Sequence, residues 1–244
     1  MVISAFAAPK DYVLRSPDEK LLVTIETGNG ISYTLKHDGD LLLDRSEIGM
    51  YMTDGTVFGG YLNVKKASTR TVSETIKAIM YKKAEIKDEF NELTLKFKDF
   101  SLIFRAYDDG MAYRFVSHKE EAYNVEYETA EFNFAKDWNM WAAYVCQHTE
   151  TLESQYYNSF ENQYSYTPIS EWNKDRLAFL PLMVEGPKGK KIVVTESDLF
   201  DYPGMYLYNK DSGKKLTADF APYPKEVRQG GHNNLQLEVQ NRHP

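Results

Sequence analysis

Apolar and polar residues alternate with a period of two along much of the chain. Two such runs, residues 21–26 and 31–36, flank a Thr-Gly-Asn-Gly spacer at 27–30. Asn and Gly tolerate positive φ, so this spacer predicts a β-hairpin. The same alternation recurs in three later runs with short turns between them: residues 93–98, 101–107 and 111–116. These runs predict a meander of antiparallel strands.

The second half of the chain continues the strand pattern. Its strand-like runs, mostly bounded by Gly, Pro, Asn or Asp, are residues 138–145, 177–185, 190–196, 205–209, 214–220 and 234–240. Residues 72–90 also fit a helix, because Val72, Ile76 and Ile79 lie near 3.6 spacing, and two strands fit this segment equally well. No alternation of strands with helices is present, so the sequence predicts an all-β fold of two packed antiparallel sheets.

Residues 146–176 interrupt this pattern with a polar, aromatic and irregular stretch. A structureless loop of that length inside a compact domain is usually functional or part of an interface. We therefore expect this segment, with Tyr156, Tyr157, Phe160 and Trp172, to form an exposed aromatic patch, extended by the turn at 202–204. For Trp172 a place in the core is an equal alternative, because Trp is often highly buried.

Composition narrows the function classes. Aromatic residues make up 14% of the chain, which either reflects a β-rich fold or supplies surfaces on which sugars stack. The net charge of −7 and the lack of a basic stripe make nucleic acid an unlikely partner. Cys146 is the single cysteine, so the chain forms no internal disulfide and no cysteine-based zinc site.

The N-terminal residues 1–12 favour two interpretations. Ala5-Phe6-Ala7 resembles the cleavage end of a secretory signal peptide, and a disordered tail fits as well. No apolar run approaches the length of a membrane span, so we expect no membrane partner. The predicted β-sandwich domain then covers residues 13–244.

Motifs for common chemistries are missing from the sequence. We find no phosphate-binding loop, no Gly-x-Ser-x-Gly elbow and no His-Glu-x-x-His zinc motif. Carboxylates are frequent in residues 119–131 and 150–161, where they form a solvated rim or supply an oxygen ligand to Ca²⁺. A glycosidase needs two opposed carboxyl groups, and spacing within one loop does not establish that geometry.

Five ordered stretches resemble the N-terminal domain of glycoside hydrolase family 97, the α-glucosidases and α-galactosidases of Bacteroidetes. They are residues 16–18 (Ser-Pro-Asp), 30–33 (Gly-Ile-Ser-Tyr), 85–93, 108–115 and 195–207. Together they cover the chain from about residue 14 to its end. The resemblance implies a galactose-mutarotase-like β-super-sandwich that packs on a catalytic (β/α)₈ barrel. This chain ends before such a barrel, and the family's catalytic carboxylates have no counterpart in it.

The resemblance also implies site residues within the 146–176 segment. Glu161 is the expected Ca²⁺ ligand and Glu153 is the rival assignment, because the alignment can slide. Trp172, Asn173 and Lys174 are the expected contributors to the sugar-binding site. The resemblance does not separate glucosidase from galactosidase activity, or retention from inversion of configuration.

The sequence hypothesis is therefore an accessory domain of a periplasmic or secreted, Ca²⁺-dependent exo-α-glycosidase. Its expected partners are the glycoside substrate and the catalytic barrel, and we expect this chain alone to be inactive. One alternative is a self-standing carbohydrate-binding sandwich. Another is a mutarotase-like epimerase, which needs a His/Glu acid–base pair in one cleft.

Overall fold

The computed structural model describes residues 9–145, 151–157, 160–173, 175–200, 202–229 and 235–239. In these ranges the backbone forms β-strands joined by turns, with three short 3-10 turns at Glu153–Tyr157, Ile169–Glu171 and Pro187–Gly189. The predicted all-β class is confirmed. No helix among the described residues is long and apolar enough to cross a membrane.

The chain divides into two compact units, and the strand β4 (Asp40–Met52) runs from the first into the second. Unit 1 comprises residues 1–47 and 58–122, and unit 2 comprises residues 48–57 and 123–244. The two-residue strand β5 (Val57–Phe58), which pairs with β4, also lies at this boundary.

Unit 1 is a sandwich of two antiparallel sheets. Its first sheet contains β1 (Lys10–Arg15), β2 (Leu21–Thr27), β3 (Ile31–His37) and the start of β4, in that order. Its second sheet contains β6 (Lys66–Lys77), β7 (Glu85–Lys96), β8 (Phe100–Tyr107) and β9 (Gly110–Ser117), also in chain order. The inward side chains of both sheets meet in an aromatic core, in which Tyr33 of β3 lies 6.1 Å from Phe104 of β8 between ring centroids.

The hairpin β6–β7 replaces the helix that residues 72–90 also allowed. Twelve residue pairs join the two strands, from Lys66 opposite Lys96 to Lys77 opposite Glu85. Strand β8 pairs only with residues 91–96 of β7, so the distal half of the hairpin continues as a two-stranded ribbon. Val72 and Ile76 are β-branched, which suits this extended backbone better than a helix.

Unit 2 contains a second set of antiparallel strands. They are β10 (Val125–Asn133), β11 (Asn139–Tyr144), β12 (Tyr164–Pro168), β13 (Ala178–Glu185), β14 (Lys191–Val194), β15 (Met205–Tyr208) and β16 (Lys215–Phe220). Their order is β10-β16-β15-β13-β11-β12, with β14 on β13 and the end of β4 on β10. The hairpin of β17 (Pro224–Gln229) and β18 (Leu235–Val239) pairs separately.

The described parts of residues 146–176 correct one expectation. This segment is not structureless, because it contains two of the 3-10 turns and the whole of β12. Strand β12 pairs with β11 over five residues, from Tyr164 opposite Ala143 to Pro168 opposite Asn139. The alternating Tyr-Ser-Tyr-Thr sequence favours this strand, and the polar residues around it obscured the pattern.

Candidate functional site

A buried glutamine fixes the start of the candidate loop in unit 2. Gln155 lies in the 3-10 turn Glu153–Tyr157, and its side chain is almost wholly buried. Its Oε1 accepts a hydrogen bond from the Leu177 N–H at 2.8 Å, and its Nε2 donates to the Asp175 carbonyl at 2.7 Å. Because both polar groups bond to backbone, the turn is tied to the start of β13.

Glu161 stands on the surface of this loop beside a second anchor. The side chain of Asn162 donates from Nδ2 to the Tyr144 carbonyl at 2.7 Å, and its Oδ1 accepts from the Gln163 N–H at 2.8 Å. Glu161 itself is exposed. Asn162 thus holds the backbone next to an accessible carboxylate, which is a donor that Ca²⁺ binds readily.

This carboxylate has few neighbours of the kind that a metal site needs. Within the described ranges, no three His, Cys, Asp or Glu side chains come together as a metal-binding group. Ca²⁺ takes roughly six to eight oxygen ligands, so Glu161 by itself does not make a calcium site. The side chain of Glu153, the rival assignment, lies outside the described part of the structure.

Trp172 faces inward, which resolves the two alternatives for this residue. Its ring is buried and meets Tyr144 edge to face at 5.1 Å between centroids, and its Nε1 donates to the Arg176 carbonyl at 2.9 Å. The N–H of the exposed residue Asn173 donates to the Tyr144 hydroxyl at 3.2 Å. Trp172 and Tyr144 therefore shape the turn that presents Asn173, while Lys174 lies outside the described residues.

The expected aromatic patch exists only in part. Tyr156 is buried against Tyr206, with the rings 5.3 Å apart and nearly perpendicular, so its predicted exposure was wrong. Tyr156 belongs to a buried apolar cluster with Val145, Leu177 and Phe179, and burial of its ring there is favourable. Phe160 is 64% exposed, as predicted. The side chain of Tyr157 lies outside the described residues.

Two exposed aromatic residues of unit 2, Phe160 and Tyr223, line an open groove of about 500 Å³. Its walls include Phe160, Leu199, Tyr202, Pro203, Met205 and Tyr223. Phe200, next in sequence to one of these residues, is 86% exposed. The groove therefore confirms the expected contribution of the 202–204 turn, and it adds the residues on either side of β15.

Two carboxyl groups lie at or beside this groove. Glu196 lines it, and its Oε1 and Oε2 accept hydrogen bonds from the Met205 N–H at 3.0 and 2.9 Å. Glu128, on β10, accepts a hydrogen bond from the Tyr202 hydroxyl at 2.8 Å. Burial, together with the nearby charge of Glu196, raises the pKa of Glu128 to about 7.

This pair of glutamates does not make a complete acid–base site. Burial raises the pKa of Glu196 too, so both groups respond to the low polarity of their surroundings. Of the histidines in the described ranges, His37 lies 3.1 Å from Asp38 and His118 shares a hydrogen bond with Ser101. Neither forms the His/Glu pair that a mutarotase-like epimerase requires.

The fold and this site define a class of protein: an all-β sandwich domain with an apolar groove and an anchored, carboxylate-bearing loop. Residues 14–236 match the family described as Glycosyl-hydrolase 97 N-terminal. The chain belongs to this family. The resemblance carried by the five sequence stretches is thereby confirmed.

Known relatives extend well beyond the region they share with this chain. A retaining alpha-galactosidase of Bacteroides thetaiotaomicron is 40% identical over 234 residues, which cover 95% of this chain and 35% of that protein. The chain thus spans about a third of the length of the curated relative it matches.

Solved structures show the same fold. A glycoside hydrolase family 97 enzyme from Pseudoalteromonas sp. strain K8, in complex with acarbose, matches with a TM-score of 0.73 and 20% identity, over 86% of this chain and 32% of that one. The crystal structure of a beta-arabinopyranosidase matches with a TM-score of 0.73 and 21% identity, over 95% of this chain and 38% of that one. At these identities the likeness supports the fold.

Proposed function

We propose that this chain is the N-terminal accessory domain of a periplasmic or secreted, Ca²⁺-dependent exo-α-glycosidase, and that its substrate class is α-galactosides. The observation that carries the proposal is the 40% identity to a retaining alpha-galactosidase across 95% of this chain. That relative is nearly three times as long, so the catalytic carboxyl groups would come from a part of the enzyme outside these residues. An α-glucosidase is the second candidate.

Glu161 would supply one calcium ligand to that enzyme. Support comes from its exposure and from the Asn162 anchor, which fixes the adjacent backbone. An anchored backbone lowers the conformational entropy that this segment loses when the carboxylate binds the ion. Asn173, presented by the turn that Trp172 and Tyr144 shape, would contribute to the sugar-binding site. Lys174 is proposed for the same site from the family resemblance alone.

The groove of unit 2 would face the catalytic barrel. Its walls expose Phe160, Leu199 and Tyr223, and contiguous apolar surface of this kind marks protein contacts. Interdomain contacts within one chain commonly bury such groups. In this arrangement the loop that carries Glu161 adjoins the contact, because Phe160 precedes Glu161 in the chain.

The test compares two variants of the enzyme that contains this domain. Glu161→Gln should reduce the apparent Ca²⁺ affinity about tenfold or more, since it removes one charged ligand. Glu153→Gln is the matched control and should leave calcium dependence unchanged. Activity is measured on an aryl α-galactoside across a range of Ca²⁺ concentrations. Loss of affinity in the Glu153 variant alone would transfer the assignment to Glu153, and equal calcium dependence in all three proteins would exclude both residues.

A further inference from the structure

The solvent-facing side of unit 2 carries a row of four apolar side chains across four strands, named the aromatic row because two of them are Trp141 and Tyr166. Strand registers place Tyr166 of β12 opposite Trp141 of β11, Trp141 opposite Met183 of β13, and Met183 opposite Val193 of β14. Neighbouring strands lie about 4.8 Å apart, so the row is about 14 Å long. It is longer than a single sugar ring.

The alternation of each strand places this row outside the core. Met140 and Ala142, on either side of Trp141, are fully buried, while Trp141 is 37% exposed and Tyr166 is 45% exposed. The two rings lie 4.6 Å apart between centroids at 38°. With Met183 and the exposed Val193, these rings form a contiguous apolar patch, and such patches mark binding surfaces.

A row of hydrogen-bonding groups runs beside the aromatic row. The Tyr166 hydroxyl donates to Glu185 Oε2 at 2.6 Å and accepts from Asn139 Nδ2 at 3.0 Å. Lys191 pairs with the other oxygen of Glu185. The hydrogen bond from Lys191, followed by that from Tyr166, lowers the pKa of Glu185, so this carboxyl group is ionised at neutral pH.

We propose that this face, defined by Trp141, Tyr166, Met183, Val193 and the polar residues Asn139, Glu185 and Lys191, is a binding site for oligosaccharides. A pyranose ring has an apolar C–H face and an equatorial rim of hydroxyl groups. The aromatic row fits the first and the polar row fits the second. The electron-rich faces of Trp and Tyr attract the polarised C–H groups of a sugar, and the two-χ side chains lose little entropy on binding.

An oligosaccharide suits this surface better than a protein partner does. The polar row combines an amide, a carboxylate and an ammonium group, which together donate to and accept from hydroxyl groups. Their mutual hydrogen bonds also hold them in place before any ligand arrives. The proposal extends the proposed function by a binding face, and it relies on that function only for the choice of sugars.

The experiment measures binding by this chain in the absence of Ca²⁺, so its failure is distinguishable from failure of the calcium-dependent function. Maltotriose and raffinose are titrated separately into the chain in a calorimeter. We expect saturable binding of at least one of them. Trp141→Ala should weaken it about tenfold or more, because the variant removes most of one apolar contact. Tyr166→Ala should weaken it similarly. Tyr166→Phe keeps the ring but removes the hydroxyl that links Glu185 and Asn139, so it should weaken binding less than Tyr166→Ala does.

Tyr127→Ala is the control, since Tyr127 is an exposed aromatic residue of unit 2 that lies on β10 and stacks on Tyr51. Circular dichroism checks that each variant is folded. If Trp141→Ala does not fold, the test relies on Tyr166→Ala, which lies on the edge strand β12. Absence of binding to both sugars overturns the proposal. So does equal loss in the Tyr127 variant, or light scattering that shows a dimer which Trp141→Ala dissociates.

Discussion

The Tyr202 hydroxyl donates a hydrogen bond of 2.8 Å to Glu128 Oε2, joining the turn that walls the groove to strand β10. Burial of both groups, and the charge of Glu128, raise the pKa of Tyr202 as well. The tyrosine therefore stays protonated at neutral pH and remains a donor. Glu128 is the group in this pair whose charge changes near neutrality.

The stability of unit 2 should fall as pH rises from about 4.5 to about 7. The folded-state pKa of Glu128 is raised from 4.5 to about 7, so the folded protein holds a proton that the unfolded chain releases in this window. Charging the buried carboxyl group then costs at most about 3 kcal/mol. Urea denaturation of the wild type and Glu128→Gln at pH 5 and pH 8 measures this. The variant should lose most of the dependence, and Glu126→Gln, an exposed neighbour on β10, should keep it. Equal pH profiles for all three proteins would contradict the prediction.

Replacing Glu92, which pairs with two arginines, should destabilise unit 1. Its nearly buried carboxylate accepts two hydrogen bonds from Arg70, at 2.6 and 2.8 Å, and one from Arg105 at 2.8 Å. Replacing it with Gln leaves two partly exposed guanidinium groups without their anion, and we expect a loss of about 1.5 to 3 kcal/mol in the free energy of unfolding. Glu89→Gln, whose partner is the hydroxyl of Ser73, is the control and should cost under about 1 kcal/mol.

The same carboxylate predicts a second pH effect of opposite sign. Hydrogen bonds from Arg70 lower the pKa of Glu92. Its contribution to stability is therefore present above the pKa of the unfolded chain and is lost as pH falls through the lower, folded-state value. Acid titration monitored by circular dichroism should show unfolding of Glu92→Gln at a higher pH than wild type. Coincident acid transitions would show that Glu92 contributes nothing to acid stability.

The purified 244-residue chain should not hydrolyse aryl α-galactosides or α-glucosides. In the proposed function both catalytic carboxyl groups come from outside these residues, and most glycosidases use such a pair on either side of the glycosidic bond. Release of nitrophenol, followed with and without Ca²⁺, measures this. Saturable turnover that is lost in Glu128→Gln would instead make this chain an enzyme in its own right.

The exposed side chain of Phe200, next to the groove wall, should matter only in the complete enzyme. Phe200→Ser replaces a side chain that is 86% exposed, so the isolated chain should unfold at an unchanged urea concentration. If the barrel covers this surface, the same change should weaken domain association, and limited proteolysis between the domains should become faster. Val193→Ser, at an exposed valine of β14, is the control. Unchanged proteolysis in the Phe200 variant would place the contact elsewhere.

Period-two patterns predicted the strands well because each outward residue in this fold is followed by an inward one. The patterns failed to predict strands where the alternation of inward and outward residues was not visible in the sequence. Residues 164–168 carry two exposed tyrosines on an edge strand, so burial did not mark their inward side. In residues 72–90 the distal ribbon is exposed on both faces, so no alternation of apolar and polar residues is needed there and none marks the strands.

The candidate site depended on information that local sequence does not hold. Glu161 followed from the family resemblance, while its anchor, Asn162, needs the carbonyl of Tyr144, 18 residues earlier. Glu128 and Tyr202 are 74 residues apart, and only the fold brings them together. The inward orientation of Trp172 likewise depends on its contact with Tyr144. The sequence alone therefore did not determine whether the Trp172 ring faces the core or the solvent.

The ribbon formed by the distal halves of β6 and β7 is a place where the chain can be cut without separating the rest of the fold. A two-stranded ribbon is only marginally stable by itself, so its amide protons should exchange long before those of residues 91–96, which β8 also holds. Its connection carries Lys82 and Lys83, which trypsin can reach on exposed backbone. A chain nicked there would remain assembled, because residues 66–71 of β6 stay paired with residues 91–96 of β7 and the end of β4 stays paired with β10.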